Sequence, residues 1–543
     1  MRAALVVAAS LLFASASASA QQPRVLDSFE DLGPWRAQPS DGVSATIHPD
    51  AGIAGKSLRL DVDFHGGGGY AVIHRALPTT LPDDYTITFH VRGTVPPNNI
   101  EFKMVDSTGD NVWWVNRRDF VFSRRWQTVT IRKRQVSFAW GPSGGGELRR
   151  FAALEIAVTA GKGGRGSVWV DELALTPRAP AKALARPTVT TDPAIGSASA
   201  VVDNDTLTSW WPSRPARSVT LDFGGMRELG GVVVRWEANH GVADYDVELQ
   251  GADSGWRTAY RVRGGDGGDD PIPLPDTDAR GLRLRFIQPP NRSGVALREV
   301  VVQPLEWTST PNAFAEAIAA GAPRGSYPRY LSREQSYWTT VGVSGDRSRP
   351  LLSEDGSFEP FAGGFSIEPF IHDGMRLLTW ADSRTTQSLA DEDLPIPSVH
   401  RVYERTALDV TAFVDGAPRR AVGWVRYRVT NHDSVARTLT LYLGMRPFQV
   451  NPSWQFLTVP GGVAPIDSIR SSNGVVVVNG SRRIVPVTRA ASFGAATFDA
   501  GGMIGWIRRD SLPPRTAARD AGSRAAGALA FPLTLPAGGV RDV

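Results

Sequence analysis

Short runs in which polar and apolar side chains alternate, each closed by glycine or proline, constrain this 543-residue chain more than any other feature. Tyr85-Thr86-Ile87-Thr88-Phe89-His90-Val91 is one, and Val168-Trp169-Val170, Val219-Thr220-Leu221-Asp222-Phe223 and Gly423-Trp424-Val425-Arg426-Tyr427-Arg428-Val429 are others. A strand turns successive side chains to opposite faces, so a period of two describes an element with one buried and one wet face. The 55 glycines and 39 prolines supply the turn signals between such elements. Helical spacing stands out only at Ala313–Ala319, closed by Gly321. The expectation is an all-β chain built of sandwiches.

Two breaks divide it. Residues 177–186, rich in Pro and Ala, read as a semi-stiff linker, and Pro304 to Pro311 precede the helical stretch. Segments at 22–176, 187–304 and 312–543 follow, as a chain of this length allows at about 150 residues per domain. Before them, Arg2, the apolar stretch Ala3–Phe13 and the small residues Ala18-Ser19-Ala20 have the order of a secretory signal peptide over residues 1–20. No later run reaches the roughly 18 apolar residues of a membrane span. A secreted or periplasmic location is therefore expected. The chain has no cysteine, which removes disulfides, thiolate nucleophiles and zinc–thiolate sites. Its formal charge is +4 and its charges are interleaved. The densest basic stretch is Arg132-Lys133-Arg134, and nothing like the one-sided basic footprint of a nucleic-acid binder emerges.

Segment one opens with Leu26-Asp27-Ser28-Phe29-Glu30-Asp31 and closes with Gly166-Ser167-Val168-Trp169-Val170-Asp171-Glu172-Leu173. This start and end resemble the galactose-binding-like jelly-rolls among carbohydrate-binding modules, which implies that the last strand pairs beside the first. Trp113 and Trp114 are adjacent, so on a strand one of them must turn away from the core. An outward indole either covers a neighbouring loop or offers its face to a pyranose, with Asn111, Asn116, Arg117 or Asp119 available for hydroxyls. Both tryptophans are carried forward as candidates.

In segment two, Ala200-Val201-Val202-Asp203-Asn204-Asp205-Thr206-Leu207-Thr208-Ser209-Trp210 precedes Val219–Gly224, Leu229–Trp236, Tyr245–Leu249 and Val295–Val302. That order over about 110 residues resembles the coagulation factor 5/8 type C, or discoidin, modules, which include the family 32 carbohydrate-binding modules. The resemblance implies an antiparallel jelly-roll and, in many members, a structural Ca²⁺. Onto its ligands map Asp203, Asp205, Thr208 and Glu299, with Asn204 where a glycine is usual. Their oxygens suit Ca²⁺; equally, Asp203 and Thr208 can tie their own turn. For sugar recognition the candidates are Trp211, Arg214, Asn239 and His240, at loop positions.

Segment three, with Val425-Arg426-Tyr427-Arg428-Val429-Thr430-Asn431 before Thr438-Leu439-Thr440-Leu441-Tyr442-Leu443, looks like the N-terminal β-sandwich that precedes an (α/α)6 barrel in some glycoside hydrolases and phosphorylases. No such barrel is written in residues 320–543, and Ala528–Val543 reads as a strand, a turn and the start of another strand, as in a piece of a longer protein. No carboxylate pair is singled out by spacing for glycoside hydrolysis, His372, His400 and His432 lack metal-ligand spacing, and no Ser–His–Asp pattern is visible. The expected fold is two tandem jelly-roll β-sandwiches followed by a larger antiparallel β-sandwich. The expected partner is a polysaccharide or cell-surface glycan, bound by the accessory part of a polysaccharide-processing enzyme. Two other readings stay open: a glycoside hydrolase in its own right, and a surface scaffold that binds protein.

Overall fold

The computed structural model describes residues 23–178, 186–287, 294–346, 348–418, 420–455 and 461–543. The leader assigned to residues 1–20 and most of the 177–186 linker lie outside them. By its contacts the chain forms two compact units, residues 1–182 and 183–543. The described residues are all-β apart from short helical pieces.

In the first unit two six-stranded antiparallel sheets face each other across one core. One sheet runs Ser44–Ala51, Lys56–Asp63, Arg165–Pro177, Tyr85–Gly93, Gln127–Arg132, with Arg24–Asp27 also on Arg165–Pro177. The first strand thus lies beside the last, Arg24 opposite Leu175. The other sheet runs Ser137–Trp140, Val112–Phe120, Asn98–Val105, Arg150–Thr159, Tyr70–Thr80, Arg36–Pro39. Period two has the expected consequence in Tyr85–Gly93, where Tyr85, Ile87, Phe89 and Val91 are all buried. Trp35 stacks on Phe29 at 5.3 Å and donates its Nε1–H to Asp27 at 2.7 Å, which satisfies the indole inside the core.

The second unit holds two large cores. Around the first lies an antiparallel sheet ordered Thr188–Asp192, Ser218–Trp236, Asp269–Phe286, Tyr245–Gln250, Trp256–Val262, with Leu297–Gln303 against Ser218–Trp236. Helix Pro311–Ala320 follows, started by the Thr310 side chain, which accepts from Ala313 N, and by proline in its first turn. The rest forms antiparallel sheets of eight, five and four strands. Helix Met503–Arg508 had no counterpart in the sequence pattern. The final strand, Val540–Asp542, pairs with Val422–Asn431, and Arg428 clasps Asp542 with two bonds of 2.7 and 2.9 Å.

Candidate functional site

The outer face of the Asn98–Val105 sheet is where physical expectation fails most clearly. Cross-strand register sets Ser137, Trp114, Lys103, Glu155, His74 and Arg36 in one row. A second row holds Asn116, Glu101, Ala157, Val72 and Gln38. The residues between the rows, Val115, Phe102, Ile156 and Ile73, pack into the core, so both rows point outward. Charged side chains in such rows normally stand in water. Here Glu101 and Lys103 are only 6% and 7% exposed. Aromatic rings flank the lysine: the Lys103 ammonium lies 5.5 Å from the Trp140 ring and 5.9 Å from the Tyr70 ring. Trp140 in turn meets Trp114 edge to face at 5.7 Å. Yet Trp140 and Tyr70 keep 48% and 45% of their surface in solvent. Half-exposed rings thus flank a polar floor and form the candidate cleft.

That floor is rich in hydrogen-bonding groups. Lys103 pairs with Glu101 at 3.0 Å, Asn116 Nδ2 donates to Glu101 at 3.3 Å, and His74 Nδ1 meets Glu155 at 3.1 Å. Asn116 Oδ1 and Thr159 Oγ1 are buried with no partner. Donors and acceptors therefore alternate beneath two half-free ring faces, as a polyhydroxylated ligand with C–H-rich faces requires. The opposite sheet differs. Its indoles are capped by cations, Arg92 lying 4.9 Å from Trp126 and 4.6 Å from Trp169, with Arg59 at 5.4 Å from Trp169.

Of the two adjacent tryptophans, only Trp114 contributes to this face. Trp113 is corrected: it is 7% exposed, donates Nε1–H to the Gly146 carbonyl at 2.9 Å and packs edge-on against Phe138 inside the core. Asn111 is also withdrawn, its amide shared between Asp106 at 2.8 Å and Ser143 N at 2.8 Å. Arg117 reaches back to the Thr130 carbonyl. Asp119, exposed, takes a left-handed backbone turn. Trp140, Tyr70, Glu101 and Lys103 were missed. The available signal was Trp140 closing the alternating run Ser137-Phe138-Ala139-Trp140.

In the second unit Trp211 is 56% exposed and its ring meets His240 edge to face at 4.8 Å. His240 is oriented by the Ala238 carbonyl, 2.7 Å from Nδ1, and the neighbouring Asn239 is exposed on a left-handed backbone. Trp211, Asn239 and His240 thus share one rim. Arg214 is exposed too, and donates to the Ala194 carbonyl at 3.2 Å. Trp210 and Trp236 are core residues, as their apolar context implies.

The residues proposed for Ca²⁺ form two groups of bonds. Asp203 accepts from Asp205 N at 2.9 Å and from Thr208 Oγ1 at 2.8 Å, while Asp205 accepts from Leu207 N at 2.9 Å. Asn204 adopts φ +61°, the left-handed backbone that the usual glycine would take. Glu299, 1% exposed, reaches this turn from strand Leu297–Gln303, and its Oε2 is buried without a partner. Burial and the nearby Asp203 charge hold the Glu299 carboxyl above its ordinary range. Among the described residues no three His, Asp or Glu side chains converge as a metal cage. The orphan oxygen beside a second carboxylate fits a cation, with backbone carbonyls left to supply the remaining oxygens.

One Ser–His–Asp line does exist, contrary to the sequence reading. Ser388 Oγ lies 2.8 Å from His400 Nε2, and His400 Nδ1 lies 2.8 Å from Asp409 Oδ1. It crosses three strands of the five-stranded sheet as a ladder of polar rungs.

No protein-family model matches the sequence, and no curated protein matches it. Among solved structures, the chain is similar to the family 11 carbohydrate-binding module from Clostridium thermocellum in complex with a β-1,3-1,4-mixed-linked tetrasaccharide. That likeness has 19% identity and a TM-score of 0.25, and covers 29% of this chain and 98% of that one. It is also similar to chitosan-binding module 2 of a chitosanase/glucanase from Paenibacillus sp. IK-5, in complex with chitotriose, at 22% identity, covering 22% and 96%, TM-score 0.19. A Clostridium perfringens module in complex with GalNAc-β-1,3-galactose matches at 19% identity, covering 22% and 94%, TM-score 0.19.

Proposed function

We propose that this chain is an exported carbohydrate-binding protein, the accessory part of a polysaccharide-processing enzyme, and that its principal glycan site is the cleft of the first unit. One observation carries the reading: a Glu101–Lys103 pair, on the outward face of a strand, is buried between aromatic rings that themselves remain half in solvent. Burying an ion pair is costly and adds little stability. Ligand sites place a few such polar groups among aromatic walls. Sugar rings would lie against Trp140 and Tyr70, with Trp114 buttressing Trp140. Hydroxyls would exchange hydrogen bonds with Glu101, Lys103, Asn116, His74 and Glu155.

The Trp211–His240–Asn239 rim is a second contact for the same polymer, and two weak sites on one chain raise its residence on an insoluble glycan through avidity. A Ca²⁺ ion held by Asp203, Asp205, Thr208 and Glu299 would brace the second unit near its start without touching sugar. Affinity electrophoresis of the full chain through gels containing neutral polysaccharides tests the reading. Retardation on at least one glycan, relieved by soluble oligosaccharide, is expected. Unretarded migration on every glycan of a broad panel would remove the proposal.

A further inference from the structure

We infer a second site of different chemistry: a cavity of about 450 Å³ in the second unit that takes a molecule with an apolar body and one carboxylate or sulfonate group. It opens where helix Pro311–Ala320, the turn Arg446–Phe448 and helix Met503–Arg508 meet. Phe314, Ile318, Phe448, Phe498, Met503 and Ile504 make its walls apolar. The volume falls within the roughly 300–1,000 Å³ of small-molecule pockets.

Arg446 and Arg524 line this cavity, and each keeps one buried N–H without a protein acceptor. Arg446 is 3% exposed; its Nε pairs with Glu368 at 3.0 Å and its Nη1 donates to the Ser326 carbonyl at 2.7 Å. Its Nη2 has no partner among the described residues. The rings of Tyr327 and Phe448, which also line the cavity, lie 5.1 and 5.0 Å from that guanidinium. Arg524 stands 4.9 Å from the Phe314 ring and 4.7 Å from the Phe498 ring, donates to Tyr260 at 3.3 Å, and leaves Nε buried without a partner. A buried N–H left unpaired is expensive, and a guanidinium can only donate. An anionic group beside either guanidinium would make charge-assisted bonds. The acidic groups nearby, Asp266, Asp269, Asp270 and Asp499, line an adjoining pocket of about 270 Å³ that shares Phe498 and Ile504 with this one.

The test uses the full chain, the fluorescent probe 8-anilinonaphthalene-1-sulfonate, and decanoate or decylamine as competitors. One saturable probe site per chain is expected, displaced by decanoate and not by decylamine. Gly502 lines the cavity with an ordinary φ of −60°, and open space surrounds the position of an added Cβ. Gly502→Phe should therefore fill the cavity without backbone strain and abolish probe binding. Arg524→Gln should weaken decanoate about tenfold while leaving glycan retardation unchanged. Equal displacement by decylamine, or wild-type probe binding in Gly502→Phe, overturns the inference.

Discussion

At the scale of single residues, the adjacent pair Trp113 and Trp114 separates packing from recognition. Trp113 is a core residue with a satisfied indole, so Trp113→Ala should destabilise the first unit by about 3–5 kcal/mol. Chemical denaturation of the full chain, followed by the transition of the first unit, measures it. Trp140 is half exposed, and Trp140→Ala should cost less than about 1 kcal/mol of stability while lowering glycan affinity about tenfold or more. A Trp140→Ala variant that keeps full affinity would point to a site elsewhere. The two effects run in opposite directions because one ring is buried against protein and the other is held half open beside a charge pair.

At the scale of the element, strand Asn98–Val105 carries the most informative conflict. Ile100, Phe102 and Met104 face the core as period two requires, but Glu101 and Lys103 are buried as well. Lys103→Met alone would leave the Glu101 carboxylate buried beside a lost partner and should destabilise by about 3–5 kcal/mol. Replacing both, Glu101→Leu with Lys103→Met, should restore or raise the unfolding midpoint and still sharply lower glycan retention. Retained binding in the double variant would deny the pair its role in recognition. In the second unit, added Ca²⁺ should raise the melting temperature, chelator should reverse the gain, and Glu299→Gln should remove it. A melting temperature indifferent to Ca²⁺ would mean that Asp203 and Thr208 only close their own turn.

The elements themselves were legible in advance. The runs Tyr85–Val91 and Gly423–Val429 lie within strands Tyr85–Gly93 and Val422–Asn431, and the Ala313–Ala319 spacing lies within helix Pro311–Ala320. The cleft was not. Tyr70 and Trp140 are brought to one ammonium group only by register passed across successive strands, which no local pattern encodes. Nothing local marks Glu101 and Lys103 as buried, because polar strand residues are exposed in most strands. On the rim of the second unit, Trp211 and His240 were both legible as loop residues, and their ring contact came from loop geometry.

For the whole molecule, pH and multivalency are the levers. Burial pushes the Asp270 carboxyl up to about 7, that of Asp499 to about 6 and that of Glu359 to about 7. The folded second unit therefore holds protons that the unfolded chain has already released, and its stability falls as pH rises from about 4 to about 7. Urea midpoints of that unit should be higher at pH 5 than at pH 8. Asp499→Asn, which keeps an oxygen for the Tyr260 hydroxyl now 2.9 Å away, should shrink the difference. A midpoint that rises with pH would contradict those burials. If both proposed sites engage one polymer, retention on an insoluble glycan should exceed the affinity for a short oligosaccharide. The most direct test of the central claim is calorimetric titration of an oligosaccharide, cut from whichever glycan retards the chain, into wild type, Tyr70→Ala/Trp140→Ala and Trp211→Ala. A fall of about a hundredfold in the double variant, with Trp211→Ala close to wild type, is expected if the cleft is the principal site; wild-type affinity in the double variant would contradict it.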